Sequence, residues 1–341
     1  MEAYEKLVKK RLAYIFLFFV LSIVFSTLNL LIGAMEISIF EIAQSIVYRG
    51  ESTVDVVVWE YRLPWTLMAL LVGGALGLAG LQMQTILNNP LASPYTLGIS
   101  AGAGFGAALA YVLGVKVIPN IPTDFVVPVN AFFFAFLTCT LIMLIGKARG
   151  FTSETLVLGG IAISFMFQSL LALLQYYASE EALQAIVFWL FGSLTKSSIP
   201  KAQIVFAILL ITTLILLSRS WKITALRLGE EKAKSLGVNT EALRIEVLVY
   251  VSLLTSVAIC FVGIIGFVGL VAPHIARMLI GEDQRFLIIG SILCGGAILS
   301  AGAILSKTVV PGAIFPIGII TSMLGVPFFL FLILKGRRGI W

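Results

Sequence analysis

The chain has 341 residues, of which 60% are hydrophobic and only 12% charged. A water-soluble domain carries about 25% charged residues, so half that charge leaves too little polar surface and the solvent must be lipid. The net charge of +6 does not mark a nucleic-acid binder, because Lys and Arg fall in the gaps between apolar runs, where they set membrane topology.

A basic start (Lys6, Lys9, Lys10, Arg11) precedes an apolar run from Leu12 to Ala34. That run matches a full span of about 20 residues and exceeds a secretory h-region, so it reads as a retained first helix over 12–34. An amphipathic piece, Ile37 to Tyr48, is expected on the surface after it. Further spans are predicted over 65–87, 96–114, 126–146, 155–177, 202–218, 246–265, 268–281, 286–306 and 313–334, about ten in all. Only Gly263-Ile-Ile-Gly separates the seventh from the eighth, and Pro273 is expected to open the eighth helix proper, since proline suits a first turn.

The expected fold is therefore all-α, a single membrane domain over residues 1–341 in the lipid bilayer of the cell membrane. With both termini in the cytoplasm, the inner segments hold 17 Lys and Arg against 6 outside (Arg49, Arg62, Lys116, Lys196, Lys201, Lys307). The inner count includes Lys335, Arg337 and Arg338 at the C-terminal end. Gly73 and Gly77 share a helical face, as do Gly98, Gly102 and Gly106, which suits close backbone packing in lipid. Cys139, Cys260 and Cys294 lie in apolar runs and read as packing residues.

Apart from Glu246 at the first position of one span, the only permanent charge within these spans is Arg277. Ion-coupled transporters bury carboxylates or histidines as relays. The lack of a mid-membrane carboxylate in these spans counts against a secondary carrier for a hydrophobic solute. An intramembrane enzyme would need clustered Asp, His or Ser/His groups at depth, and the sequence offers none. The single histidine, His274, lies one helical turn from Arg277 and reads as a structural hydrogen-bonding group rather than a ligand.

Energy for uphill transport must then arrive through a cytoplasmic surface, and the longest inner loop, about 219–244, is built for one. Glu230 and Glu231 precede Lys232 and Lys234, which complements a helix dipole. Gly237 suits a left-handed cap, Val238 a Schellman closure, and Asn239 or Thr240 the cap of the next helix. The pattern predicts one short helix across the inner surface, with Ala233 and Leu236 on one face.

Five phrases in order then carry a family likeness: Arg62-Leu-Pro with Gly73-Gly-Ala-Leu-Gly-Leu-Ala-Gly-Leu-Gln-Met-Gln; Asn89-Pro-Leu-Ala-Ser-Pro-Tyr-Thr-Leu-Gly; Leu226-Arg-Leu-Gly-Glu-Glu-Lys-Ala-Lys-Ser-Leu-Gly-Val; Gly266-Phe-Val-Gly-Leu-Val-Ala-Pro-His-Ile-Ala-Arg; and Phe315-Pro-Ile-Gly-Ile-Ile-Thr-Ser-Met-Leu-Gly-Val-Pro-Phe-Phe. From about residue 60 onward the chain resembles the FecCD-type permeases of cobalamin, haem and iron-siderophore ATP-binding cassette (ABC) importers. The resemblance implies a type II importer fold and a dimer with a second copy or a paralogue. It also implies two ATPase subunits inside and a solute-binding protein outside. No P-loop pattern is present, so the ATP and magnesium chemistry is expected in the partner ATPase, with no cofactor or metal bound by this chain. Siderophore iron is the expected cargo, with haem or cobalamin as alternatives.

The same resemblance suggests roles for particular residues. Arg62 and Lys307 match basic positions that meet carboxylates of the binding protein, although Trp65 stands where the family often has a second arginine. Asn89, Leu91, Thr152 and Ser153 match positions that narrow the cytoplasmic mouth, though each also suits ordinary turn or cap chemistry. The docking loop, with Glu230, Glu231, Ala233, Leu236 and Gly237, matches the coupling helix that sits in an ATPase cleft. Ser164, Gln168 and Gln175 fall near one face of the fifth span, as pathway lining or as interhelical hydrogen-bond groups.

Overall fold

The computed structural model describes residues 2–310 and 312–335, so Arg337 and Arg338 lie outside the described residues. Helix α1 (Glu2–Leu31) takes in the basic start as well as the first apolar run. Helix α2 (Ile39–Val47) is the amphipathic piece, opened by a capping box between Ser38 and Glu41. A second box, Ser52 with Asp55, opens α3 (Thr53–Val56), which continues through a π-helical stretch, Val57–Arg62, into α4 (Leu63–Ile86). The result is one 34-residue helical segment, Thr53–Ile86. At about 1.5 Å per residue it measures about 50 Å and outreaches a hydrocarbon core of about 30 Å.

Helices α5 (Ile99–Leu113), α6 (Thr123–Arg149) and α7 (Ser153–Tyr177) follow the predicted spans closely. Next come α8 (Glu180–Leu190) and α9 (Ile199–Ser218). The predicted docking loop carries two short helices, α10 (Ser220–Leu226) and α11 (Glu230–Ser235). Last come α12 (Thr240–Val262), α13 (Val268–Ile280), α14 (Gln284–Thr308) and α15 (Ile317–Lys335). Among the described residues, seven helical segments are long and apolar enough to cross a membrane, and α5, α13 and α15 are shorter apolar helices, in accord with the ten predicted spans. The sequence reading missed α8, although Ser179 caps it in the ordinary way and Glu180 and Glu181 fill its first turn.

Helix α4 runs through the middle of the bundle and is buried from Val72 to Ile86 without a break. It gets there by lacking side chains where it meets its neighbours. A Cβ on Gly73 would come 2.3 Å from the Gly295 carbonyl oxygen of α14, and one on Gly77 would come 2.4 Å from that of Ser291. The predicted Gly73–Gly77 stripe is therefore an α4–α14 contact. On another side of α4, a Cβ on Gly80 would come 1.6 Å from the Gly269 carbonyl oxygen of α13. Gly102 and Gly106 pack on α6 as the stripe on α5 predicted, but Gly98 does not join them. It turns the chain before α5 at φ +76° and lies beside Ser164 of α7.

The Gly80–Gly269 contact also explains Pro273. That residue does not open α13 but sits inside it, six positions in. A proline within a helix pushes away the carbonyl four residues earlier, here that of Gly269. Gly80 leaves room for that carbonyl. Phe267, which precedes α13, is left-handed at φ +64°, an uncommon conformation for a bulky residue.

The helices are longer than the predicted spans, and so charge enters them after all. Arg62 and Lys201 are buried within helices, and Lys307 is half-buried in another. The Arg62 guanidinium donates to the carbonyls of Leu30 (2.8 Å), Leu31 (2.9 Å) and Met35. The Lys307 ammonium donates to those of Asn29 (2.7 Å) and Ile32 (3.3 Å). Two cations on different helices thus cap the C-terminal turn of α1, where the helix dipole is negative and the carbonyls lack helical partners. In the free chain both charges are therefore held by α1. Trp65 lies beneath Lys307, whose ammonium is 5.7 Å from the ring centroid. An arginine there would add a third cation to the cluster, whereas the indole face attracts the one it has. All three cysteines are buried and free, as their apolar setting predicted.

Two expectations follow. Gly80→Ala should destabilise the purified permease by at least the about 1–3 kcal/mol of an overpacked core, because backbone cannot give way as a side-chain tip can. Gly302→Ala, whose new Cβ would meet Thr321 at an ordinary 3.6 Å, should leave thermal stability near wild type; equal melting curves for the two variants would refute the close-contact account. Arg62→Gln should cost about 1–3 kcal/mol by leaving buried carbonyls short of donors, read as a lower apparent melting temperature of the permease without partners.

Candidate functional site

Helices α4, α8, α13 and α15 and the turn before α5 enclose a cavity of about 640 Å³. Its wall includes Leu76, Leu270, Phe267, Met323 and Phe329, with hydroxyls from Ser93, Tyr95, Thr96 and Ser322, and no charged residue. A second cavity of about 460 Å³ is more polar, with Glu181, Gln184 and Lys196 among aromatic groups. The C-terminal end of α8 forms the wall between them: Leu190 and Phe191 face the first cavity, Trp189 and Gly192 the second. Backbone hydrogen bonds fix that wall. Ser193 donates to Val262 (2.7 Å), Gly318 to Phe191 (3.1 Å) and Ile317 to Gly192 (3.2 Å). Non-helical backbone survives within a bilayer only when satisfied in this way.

The four predicted mouth residues occupy two turns, one between α4 and α5 and the other before α7. Asn89 accepts the Leu91 backbone N–H at 2.9 Å, closing an Asx turn. Thr152 accepts the Thr155 N–H at 3.1 Å and caps α7, whose first residue is Ser153. Of the four, Leu91 reaches the 640 Å³ cavity. Ser164, Gln168 and Gln175 do not line it. The Ser164 hydroxyl bonds within its own helix to Gly160 at 2.7 Å, Gln168 is exposed and Gln175 is half-buried.

The docking segment is built much as its sequence suggests, with one break. Gly229, at φ +101°, divides it into α10 and α11. At the far end the Val238 N–H bonds to the Ala233 carbonyl (3.0 Å) and that of Gly237 to Lys234 (2.9 Å), which is the Schellman closure. Gly237 is left-handed at φ +80°, and Asn239 caps α12 through the Ala242 N–H at 3.0 Å. Ala233 and Leu236 do not share a face. Ala233 is fully buried while Leu236 is 49% exposed, because α11 ends at Ser235 and Leu236 leaves the helical register. Glu230 pairs with Lys234 at 2.8 Å and with Arg244 of α12 at 2.9 Å. The hydrogen bond from Lys234 leads, with Arg244 adding, in holding its carboxyl below the usual carboxylate range. Glu231, Lys232 and Leu236 remain exposed on the outer side of the segment.

Two functional features escaped the sequence reading. Phe267 lines both the 640 Å³ cavity and a smaller one of about 180 Å³ beside α15, with its ring against Gly325. The glycine pair Gly263 and Gly266 just before it was the available signal. Arg277 also proves to have an acidic partner. Its guanidinium Nε lies 3.3 Å from Glu282, in the turn after its helix.

The FecCD transport family matches residues 20–335. A Methanocaldococcus jannaschii protein named as an ABC transporter permease is 37% identical over 340 residues, covering 98% of this chain and 97% of that one. A Helicobacter pylori protein named for iron chelatin transport is 38% identical, covering 84% of this chain and 85% of its own. Other relatives carry names for molybdate, hemin or vitamin B12 import. Among solved structures, an inward-facing one assigned to a metal-chelate type ABC transporter superposes with a TM-score of 0.83 at 32% identity, covering 94% of this chain and 99% of that chain. This chain is thus a multi-pass permease of the cell membrane, of the ABC importer class, and belongs to the FecCD transport family.

Proposed function

We propose that this permease carries iron-siderophore complexes into the cell. The observation that carries the reading is the 640 Å³ cavity, whose wall joins apolar side chains to a few hydroxyls and no charge. A siderophore wraps its ferric ion in organic ligand and presents a bulky, mostly neutral exterior. Such a body passes along an apolar wall without leaving a buried charge unpaired. A bare oxyanion such as molybdate calls for cations, which this wall lacks.

The permease works as a dimer with a second copy or a paralogue. Two ATPase subunits dock at α10 and α11, and the exposed Glu231, Lys232 and Leu236 meet them. ATP and magnesium belong to those subunits, and this chain binds no cofactor and makes or breaks no bonds. A solute-binding protein delivers cargo at the opposite face. Docking on Arg62 and Lys307 would require both to leave the α1 carbonyls, whereas the exposed Lys116 and Lys196 offer charge without rearrangement.

The test is reconstitution with the cognate ATPase and binding protein in vesicles, reading ATP hydrolysis and uptake together. Binding protein should stimulate hydrolysis, and ferric siderophore should accumulate in preference to hemin, cobalamin or molybdate. Gly237→Pro should abolish that stimulation, because proline cannot take φ +80°. Accumulation of molybdate instead would overturn the cargo assignment, and an ATPase that neither co-purifies nor responds would overturn the docking one.

Lys196→Glu should slow association of the binding protein by about tenfold at low salt and by less at high salt, as for a rim charge that steers encounter. Stopped-flow binding at two ionic strengths reads this directly, and an unchanged rate would return docking to Arg62 and Lys307.

A further inference from the structure

The docking segment is tied to the bundle by a polar cluster centred on Glu282, a residue outside the quoted family phrases and away from the cavity. Arg227 ends α10, two residues before the left-handed Gly229. Its guanidinium donates to Asn88, in the turn that ends α4, at 2.7 Å, and to one oxygen of Glu282 at 2.8 Å. The other oxygen of Glu282 lies 3.3 Å from Nε of Arg277 on α13. Arg277 in turn donates to Gln84 of α4 at 2.9 Å, and Gln84 donates to the Leu270 carbonyl of α13 at 3.3 Å. One carboxylate therefore bridges an arginine of the docking segment and an arginine of the membrane bundle.

The far side of that bridge is rigid. At Gly80 and Gly269 the backbones of α4 and α13 meet with no room for a side chain, so the two helices shift together. Both contribute to the 640 Å³ cavity, through Leu76 on α4 and Gly269 and Leu270 on α13. The near side can swivel at Gly229, where a Cβ would meet open space. A push on α11 reaches α12 through Glu230 and Arg244, and it reaches the α4–α13 pair through Arg227, which Glu282 and Asn88 hold there.

We infer that Glu282 is a positioning residue of the transport cycle, a clasp that makes the α4–α13 cavity wall follow the docking segment. The inference rests on the assignment of α10 and α11 as the ATPase docking site. The carboxylate is nearly half exposed, with a relative side-chain area of 46%, and exposed ion pairs add little to stability. Its removal should spare the fold and spoil the linkage.

The experiment uses the complete importer in vesicles, measuring cargo moved per ATP hydrolysed. Glu282→Gln should lower that ratio about tenfold, within the usual range of coupling between sites, with the ATPase still co-purifying and hydrolysing ATP. Arg227→Gln should do the same. The double variant should be no worse than either single one, because both remove one shared interaction, and Glu282→Asp should recover most of the ratio. An unchanged ratio in Glu282→Gln, or a double variant whose losses multiply, overturns the clasp while leaving the importer assignment intact. Should Glu282→Gln fail to assemble, Arg227→Gln carries the same expectation, and full coupling there overturns the proposal. If the unaltered complex shows no ATP-dependent uptake, the docking assignment falls and the clasp falls with it.

Discussion

The arrangement depends on how closely backbones approach along α4. Lipid tails are as apolar as the side chains of a membrane helix, so burial alone does not draw such helices together. Contact between main chains does, and it needs glycine at the crossing points. Gly73 and Gly77 admit α14, and Gly80 admits α13. Once α4 is fixed in the middle, α12 and α9 pack around it and α1 closes over α14. The same crossing accommodates Pro273, whose displaced carbonyl partner finds its space at Gly80 rather than in a kink open to lipid.

The second constraint is where charge can go. Cations buried in a bilayer need acceptors, and irregular helix ends supply carbonyls that need donors. Arg62 and Lys307 answer both needs at the end of α1. Their position far apart in sequence and together in space gives no local pattern. By sequence each looks like an interfacial cation free to meet a partner, and its bonds to α1 cannot be read there. Trp65 shows the same logic from the other side, since its departure from the family pattern makes sense only once Lys307 is seen above its ring.

Local chemistry was legible and relational chemistry was not. The Schellman closure at Gly237, the cap at Asn239 and the small-residue stripe of Gly73 and Gly77 follow from residues within a turn or two of one another, and the chain adopts them. The single predicted docking helix became two because Gly229 could be read as a helix start but not as a hinge. Helix α8 was hidden by its short length, between two long spans that drew the apolar signal. Ser164 had the right offset from Gln168 for a shared face, yet its hydroxyl turns back to Gly160 beside Gly98. Nothing in α7 alone reveals that Gly98 arrives there. The cavity wall was equally hidden, as it is assembled from five separate stretches.

These constraints divide the molecule into two kinds of surface. The cavity wall is apolar and uncharged, so it offers few groups that could bind anything tightly. The inner end of α4 is polar and cross-linked, to α14 through Gln82 to Gln284 (3.2 Å) and Gln284 to Thr85 (3.1 Å), and to α13 through Arg277 to Gln84 (2.9 Å). A network of this kind resists deformation, because breaking one buried bond leaves another group unpaired. Under the proposed docking, motion applied at α10 and α11 would reach the helix pair as a shift of the whole rather than be absorbed by bending near the surface. The glycine contacts carry that shift up to Leu76 and Gly269, where the wall is too apolar to oppose it with bonds of its own. A stiff polar base beneath a slippery apolar wall is what a machine needs when its energy comes from outside the bilayer and its cargo must be let go.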